Sequence, residues 1–176
     1  MLSPNPRANL EYWFFKVNAG PVALLVDWIA RRKRREFWLR ASIHSPYRRE
    51  VIFQTLPVLS AEPEGISALA TSGAVGEIEW DLRIDPGGAW IAPDIVPARA
   101  LGVTDLAPVS QPTATFSGLI PPGPKVFHIQ QAHGLVSHYW GRRLPSEWWW
   151  ISASQFDRPD VAVECSVLRS GLWVST

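Results

Sequence analysis

Residues 10–17, with the sequence LEYWFFKV, decide how this chain is expected to fold. Four consecutive aromatic residues without glycine or proline are typical of a β-strand. Side chains alternate between the two faces of a strand, so Trp13 and Phe15 share one face while Tyr12 and Phe14 share the other. A strand with one face in water would alternate cleanly between apolar and polar residues. We therefore predict that both faces of this strand are covered.

The remaining sequence has the same character, because short apolar runs alternate with turn residues and none shows the 3.6-residue period of a helix. Sixteen prolines also disfavour long helices. Residues 85–88 (DPGG) are a strong hairpin signal, and residues 93–112 are predicted to form a loop. We predict strands at 10–17, 22–30, 37–44, 51–56, 78–84, 89–92, 114–119, 126–131, 135–140, 148–156, 161–168 and 171–174. This pattern predicts an all-β barrel or sandwich with less than about 15% helix, against roughly a third in typical proteins.

Length and charge exclude several classes of protein. The chain has 176 residues, which suits one domain, predicted over residues 1–176. Lys and Arg number 17 against 16 Asp and Glu, and a net charge of +1 argues against a nucleic-acid partner.

Cys165 is the single cysteine, so no intramolecular disulfide can form, and we expect it in the core. No apolar run is long enough to span a bilayer, and residues 1–9 lack a signal-peptide core, which predicts a cytoplasmic protein.

A second aromatic cluster carries a titratable group. Residues 133–150 read HGLVSHYWGRRLPSEWWW, and an extended strand would place His138 and Trp140 on one face. An imidazole can relay a proton near neutral pH, and an indole face stabilises a cation by about 2 kcal/mol when desolvated. His138 is therefore a candidate catalytic residue. The alternative is a structural histidine whose hydrogen bonds are satisfied in the core.

Two motifs resemble the tocopherol cyclase and carotenoid hydratase superfamily. Residues 11–17 (EYWFFKV) resemble its opening strand, and residues 138–156 resemble its block H-x-W-G, P-S-x-W-x-W, N-x-F, in the same order. The resemblance implies a lipocalin-like barrel that acts on isoprenoids as a cyclase or hydratase, and it maps the superfamily's His and Trp onto His138 and Trp140. Its members usually have two barrels, whereas this chain has room for one. It would therefore be a single-barrel member, a homodimer or a fragment.

Asp27 is the lone acid in residues 22–29 (VALLVDWI). A carboxyl group buried among apolar residues without a partner has a raised pKa, which suits a proton donor to an alkene. The alternative is an aspartate paired with an arginine of a neighbouring strand, or one that reaches solvent at the strand end.

Five consecutive basic residues form one predicted turn: Arg31, Arg32, Lys33, Arg34 and Arg35. Most such runs are solvated turns. The functional alternative is peripheral contact with an anionic membrane, worth about 1 kcal/mol per basic residue.

The sequence gives only weak evidence for a metal site. His128, His133 and His138 are spaced by five, so a continuous strand turns His133 away from the other two. Gly134 could interrupt the alternation, which leaves zinc as an open alternative. We predict no metal and no other cofactor.

These observations combine into one hypothesis, a lipocalin-like antiparallel β-barrel that binds a hydrophobic small molecule, isoprenoid or polyketide-like. The reaction, if any, would be a cyclisation, hydration or isomerisation without a cofactor, with His138 and Asp27 as catalytic residues. The predicted ligand-binding residues are Trp13, Phe15, Trp28, Trp140, Trp148 and Trp150. The alternatives are a non-catalytic carrier and a structural subunit that packs against its own copy. The expected partners are the ligand and a second copy of the chain in a homodimer, and no nucleic acid.

Overall fold

The computed structural model describes residues 7–46, 52–58, 65–67, 69–88, 107–121, 126–142, 147–154, 156–158, 161–170 and 173–175. Within these ranges the strands are β1 (Leu10–Ala19), β2 (Val22–Arg31), β3 (Glu36–His44), β4 (Ile52–Pro57), β5 (Ala70–Val75), β6 (Ile78–Asp85), β7 (Ala107–Ile120), β8 (Phe127–Gly141), β9 (Glu147–Ala153), β10 (Val163–Ser170) and β11 (Trp173–Ser175). The helical content of the same residues is a single 3-10 turn, Arg32–Arg34. The predicted all-β class is confirmed. No helix in the described ranges has the length and apolar character that crossing a membrane requires.

Eight of these strands form one antiparallel sheet in the order β4-β3-β2-β1-β8-β7-β6-β5. Its two end strands, β4 and β5, approach each other, so the sheet curls into a nearly closed lipocalin-like barrel, as predicted. Strand β1 lies at the middle of this sheet, between β2 and β8. The register places Trp13 opposite Trp28 on one side and opposite His138 on the other.

The barrel interior is filled by a continuous apolar core to which β1 contributes Phe15 and Val17, both fully buried. Full burial of such side chains stabilises a fold by about 1.5–3 kcal/mol each. The core contains Phe15, Val17, Val22, Leu24, Val26, Ala41, Ile43, Val75, Ile78, Trp80, Leu82, Ile84, Ala114, Phe116, Ile120, Ile129, Ala132 and Val136.

The outer face of β1 is covered by a second sheet, with strand order β11-β10-β9. Phe14 meets the Trp150 ring edge-on at 5.0 Å, and Lys16 Nζ donates a hydrogen bond to the carbonyl oxygen of Ser152 at 2.9 Å. Both faces of β1 are therefore buried. Residues 148–156 also carry large apolar side chains on both faces, which predicts a second strand covered on both sides. This prediction is wrong for β9, because Trp149 and Ile151 on its far face are 52% and 61% exposed.

Two segments differ from the sequence prediction for identifiable reasons. Strand β5 (ATSGAV) was missed because it has mostly small residues and none of the aromatic or alternating pattern that marks a strand. Strand β7 begins inside the predicted loop 93–112. Pro112 is accommodated there because the β7–β8 register shifts between Gln111 and Ala114, and proline is tolerated at such an irregularity.

Three smaller expectations also change. The predicted strands 126–131 and 135–140 form the single strand β8, in which Gln131 has a φ of 49°. The predicted strand 89–92 lies outside the described residues. Cys165 is exposed, not in the core, because it lies in β10 of the second sheet.

Gly134 is predicted to be a position of the barrel wall that does not tolerate a side chain. A Cβ atom there would overlap the carbonyl oxygen of Lys16 and lie 2.7 Å from the Phe116 ring. Overpacking of this kind costs about 1–3 kcal/mol, so Gly134→Ala should lower the melting temperature by about 5–10 °C. The control is Gly20→Asn, because Gly20 has a φ of 62°, open space around it and a conformation that asparagine tolerates. Equal melting temperatures for the two variants would contradict the close approach.

Candidate functional site

The inner face of the barrel brings His138 together with three indoles. The His138 and Trp13 rings stack at a centroid distance of 4.4 Å and an interplanar angle of 6°. The Trp140 ring lies 4.8 Å from His138, and Trp28 lies 4.7 Å from Trp13. Strands β1, β2 and β8 thus place four of the residues selected from the sequence in one contiguous group.

The same group contains three polar side chains, the buried Glu11 and His138 and the partly exposed Arg32. The Glu11 carboxylate is fully buried and is paired with the Arg32 guanidinium. Its Oε1 lies 3.3 Å from His138 Nε2. A carboxylate only accepts hydrogen bonds, so Nε2 carries the hydrogen. His138 Nδ1 and Trp13 Nε1 are buried and find no hydrogen-bond partner among the described residues.

Asp27 does not belong to this group. It is directly opposite Phe14 in the ladder, whereas His138 is opposite Trp13, so the two candidate catalytic residues lie on opposite faces of the sheet. The physical reason is the two-residue period of a strand, which turns Trp28 inward and its neighbour Asp27 outward. The geometry therefore does not bring His138 and Asp27 together in one site.

On the outer face, Asp27 is paired with an arginine of the neighbouring strand. Arg40 Nε and Nη2 donate to its two oxygens at 2.5 and 3.0 Å. The Tyr12 hydroxyl donates to Asp27 Oδ2 at 3.1 Å. This is the alternative that the sequence had left open for Asp27, an aspartate held by a neighbouring arginine.

Burial and charge act in opposite directions on this trio. Burial raises the pKa of Asp27, while the hydrogen bonds and positive charge of Arg40 and the Tyr12 hydroxyl oppose the rise. Burial, reinforced by the Asp27 charge, raises the pKa of Tyr12, so Tyr12 is a neutral donor at physiological pH. Burial alone would lower the pKa of Arg40, but its contacts with Asp27 outweigh burial and raise it. The two-point contact with both carboxylate oxygens is that of an ion pair.

Tyr12 and Arg40 also line an open pocket of about 410 Å3 on the outside of the barrel, here called the outer cleft. Its floor is the outer face of β1 to β4, and Trp148 of β9 forms one wall, 5.8 Å from the Tyr12 ring. Trp148 Nε1 is buried and has no hydrogen-bond partner among the described residues. The cleft is lined by Tyr12, Ile29, Arg31, Trp38, Arg40, Thr55 and Trp148.

The predicted ligand-binding residues are divided by the barrel wall. Trp13, Phe15, Trp28 and Trp140 belong to the inner side, whereas Trp148 and Trp150 lie against the outer side. The turn signal of residues 141–146 predicts that residues 148–150 return alongside His138. This prediction is wrong, because β9 pairs with β10 in the second sheet. Trp150 instead donates through Nε1 to Glu164 at 3.0 Å.

Sequence reasoning missed most of the outer cleft. Trp38 and Arg40 are two residues apart in β3, so their side chains lie on the same face of the sheet. The pairing of β2 with β1 and β3 places Tyr12 and Asp27 on that face as well. Period two alone would have grouped Trp38 with Arg40. Nothing in the sequence indicated that β3 lies beside β2 at the register that joins Arg40 to Asp27.

The histidines are not grouped as ligands. In the register of β8 with β1, His133 is opposite Asn18 and His138 is opposite Trp13, so their side chains point to opposite faces. In the described part of the chain, no group of three or more His, Cys, Asp or Glu residues could hold a metal ion.

The barrel and its cleft place the protein in the lipocalin-like class of antiparallel β-barrels. Two solved structures share this fold. A protein of Nitrosomonas europaea described as an ATTH protein matches with a TM-score of 0.72 and 10% identity, over 97% of this chain and 65% of that one. Kievitone hydratase from Nectria haematococca matches with a TM-score of 0.67 and 12% identity, over 96% of this chain and 59% of that one.

At these identities the likeness shows the fold alone, and the chain spans less than two thirds of the length of either protein. No protein-family model matches the sequence, and no curated protein is significantly similar to it.

Replacing Arg40 should lower the free energy of unfolding, because the buried Asp27 carboxylate loses its cationic partner. Arg40→Met removes the charge that opposes the raised pKa of Asp27, so the folded-state pKa moves further above the unfolded value. The folded state then binds a proton more tightly than the unfolded state and gains stability as the pH falls through the folded pKa. We expect a loss of about 3 kcal/mol at pH near 7.5, part of which is recovered at pH near 5, in urea unfolding.

The double variant Asp27→Asn/Arg40→Met should lose this pH dependence. Arg83→Met is the control, because Arg83 is exposed on β6. An Arg40→Met loss of equal size at both pH values would contradict the assignment of the buried charge to Asp27.

Proposed function

We propose that this protein binds a small, largely apolar molecule in the outer cleft. The observation that carries the proposal is the cleft itself, an aromatic-walled pocket of about 410 Å3. Pockets for small molecules usually measure about 300–1,000 Å3 and combine apolar walls with a few polar groups. Tyr12, Trp38 and Trp148 supply the aromatic walls, and Ile29 adds an aliphatic surface.

The polar groups of the cleft would orient one end of the ligand. Tyr12, Arg31, Arg40 and Thr55 supply the polar side chains of the cleft lining. Arg40 and Tyr12 are held in place by Asp27, so their positions do not depend on the ligand. A preorganised polar wall lowers the entropy lost on binding.

Binding without chemistry is the better supported form of this function. Arg40 engages both oxygens of Asp27, and an aspartate in an ion pair is a poor proton donor to an alkene. Asp27 therefore serves as a positioning residue for Tyr12 and Arg40 in this proposal. A carrier or binding protein, the non-catalytic alternative from the sequence, fits these contacts.

A second candidate function is acid–base catalysis inside the barrel by His138. It is favoured by one observation, the buried Nδ1 atom without a described partner beside an imidazole that Glu11 orients. A neutral His138 with its hydrogen on Nε2 could accept a proton at Nδ1 from a bound molecule. Hydration or isomerisation of an isoprenoid-like substrate would suit such a group. The motifs near Trp13 and His138 and the likeness in fold to kievitone hydratase support membership of the tocopherol cyclase and carotenoid hydratase superfamily as part of this proposal.

Filling the cleft should abolish binding. Thr55 is exposed and lines the cleft, so Thr55→Trp adds an indole to the pocket without disturbing the core. We expect the affinity for the neutral fluorescent probe N-phenyl-1-naphthylamine to fall by about tenfold or more, since most of the apolar contact area is lost. Glu79→Trp, at an exposed position of β6, is the matched control. Unchanged probe affinity in Thr55→Trp would place the binding site elsewhere.

His138→Ala separates the two candidate functions. The substitution removes one partner of the buried Glu11, so we expect a stability loss of about 1–3 kcal/mol in thermal melting. Because His138 and the cleft lie on opposite sides of the sheet, the folded variant should bind the probe with the affinity of the unaltered protein. Loss of probe binding with little loss of stability would favour the interior site over the cleft.

A further inference from the structure

Arg31 lies at one end of the outer cleft and interacts only weakly with its acidic neighbour, Glu36. Arg31 lines the cleft, and its guanidinium lies 5.4 Å from the centroid of the Trp38 ring. Its acidic neighbour Glu36 is 3.6 Å away, which is too long for a hydrogen bond, and both side chains are more than a third exposed. Exposed ion pairs of this kind contribute little in water. The Arg31 charge is therefore available to a ligand in the cleft.

The basic turn that follows Arg31 is held in a fixed position. The main-chain nitrogen of Arg32 donates to the carbonyl oxygen of Asn9 at 2.8 Å, and that of Lys33 donates to Asn9 Oδ1 at 3.0 Å. The Arg32 side chain reaches back to Glu11 in the barrel. Only the Arg32 charge is compensated in this way, while Lys33, Arg34 and Arg35 are exposed. The main chain at the start of this turn is thus fixed, and three exposed cations follow Arg31 and Arg32 closely in the sequence.

Arg40, the second cation that lines the cleft, is less available to an anionic ligand. Arg40 gives two of its donors to Asp27, which neutralises it. Of the two cations that line the cleft, Arg31, next to Trp38, is therefore the one whose charge is less compensated. Low-dielectric walls beside a group of like charges focus the field on the space between them.

We propose that the ligand of the outer cleft is an amphiphile whose anionic group, a carboxylate or a phosphate, lies against Arg31 and the Lys33–Arg35 turn. Its apolar part lies along Trp38 and Trp148. A guanidinium binds both kinds of anion through paired hydrogen bonds, and its stacking on an indole fixes its plane. This inference rests on the proposed binding function of the cleft and adds the chemical class of the ligand.

Two fluorescent probes test the charge requirement. N-phenyl-1-naphthylamine and 8-anilinonaphthalene-1-sulfonate share one aromatic body, and the sulfonate of the second stands in for the ligand's anion. We expect the anionic probe to bind about tenfold more tightly at low salt. Arg31→Gln should remove most of that advantage, so that the ratio of the two probe affinities falls towards one, whatever the change in the neutral probe alone. Arg83→Gln, which removes the same charge from β6, should leave both affinities unchanged.

The outcomes separate this inference from the proposed function. If neither probe binds, or if Thr55→Trp leaves binding of the neutral probe intact, the cleft is not a binding site and both proposals fail. If the neutral probe binds in the cleft but the anionic probe has no advantage, only the anionic ligand is overturned. Equal effects of Arg31→Gln and Arg83→Gln would also overturn it, because they would indicate an effect of overall charge alone.

Two further ligands test whether the anionic group belongs to a soluble amphiphile or to a lipid headgroup in a membrane. Dodecyl phosphate, below its micelle concentration, should displace the anionic probe if the ligand is a soluble amphiphile. Sedimentation with phosphatidylglycerol vesicles that is lost in Lys33→Gln/Arg34→Gln/Arg35→Gln would instead identify a lipid headgroup. Either result supports an anionic amphiphile, and failure of both contradicts it.

Discussion

Strand β1 is buried on both faces, and this constraint organises the rest of the molecule. Its inner face adds Trp13 and Phe15 to the barrel, and its outer face packs Tyr12 and Phe14 against the second sheet. A strand that is apolar on both sides needs a covering layer on each, because uncovered aromatic side chains would forfeit about 1.5–3 kcal/mol apiece. The barrel supplies one layer and β9–β10 supply the other. The outer cleft exists because this second layer covers only part of the outer face.

The wall formed by β1, β2 and β8 also separates two polar sites of different character. Inside, the Glu11 charge is compensated by Arg32, and His138 completes a compact group. Outside, Asp27 compensates Arg40, whereas Lys33, Arg34 and Arg35 of the basic turn are exposed to solvent. Buried ion pairs contribute less to stability than their number suggests, because desolvation offsets much of their attraction. Their value here is geometric, since one fixes the imidazole and the other fixes the wall of the cleft.

Much of this arrangement follows from the sequence and some of it does not. The two-residue period of a strand correctly predicted that His138 and Trp140 lie on the same face. The apolar residues on both sides of residues 10–17 correctly indicated that both faces of this strand are buried. Periodicity states which side chains share a face, but not which face is inside. It therefore gave no reason to separate Asp27 from His138, or Trp148 from Trp13. The Asp27–Arg40 pair depends on the register of β2 with β3, and the position of β9 depends on its pairing with β10. The periodicity within a single strand specifies neither pairing.

We propose that the ligand lies outside the barrel, between the outer face of β1–β3 and Trp148. A crystal structure of the protein soaked with 1-iodonaphthalene would locate it, because iodine is identified by its anomalous scattering independently of the surrounding density. We expect an iodine peak in contact with Trp38 or Trp148, on the outer side of the sheet. An iodine peak inside the barrel beside Trp13 and His138, with the cleft empty, would contradict it.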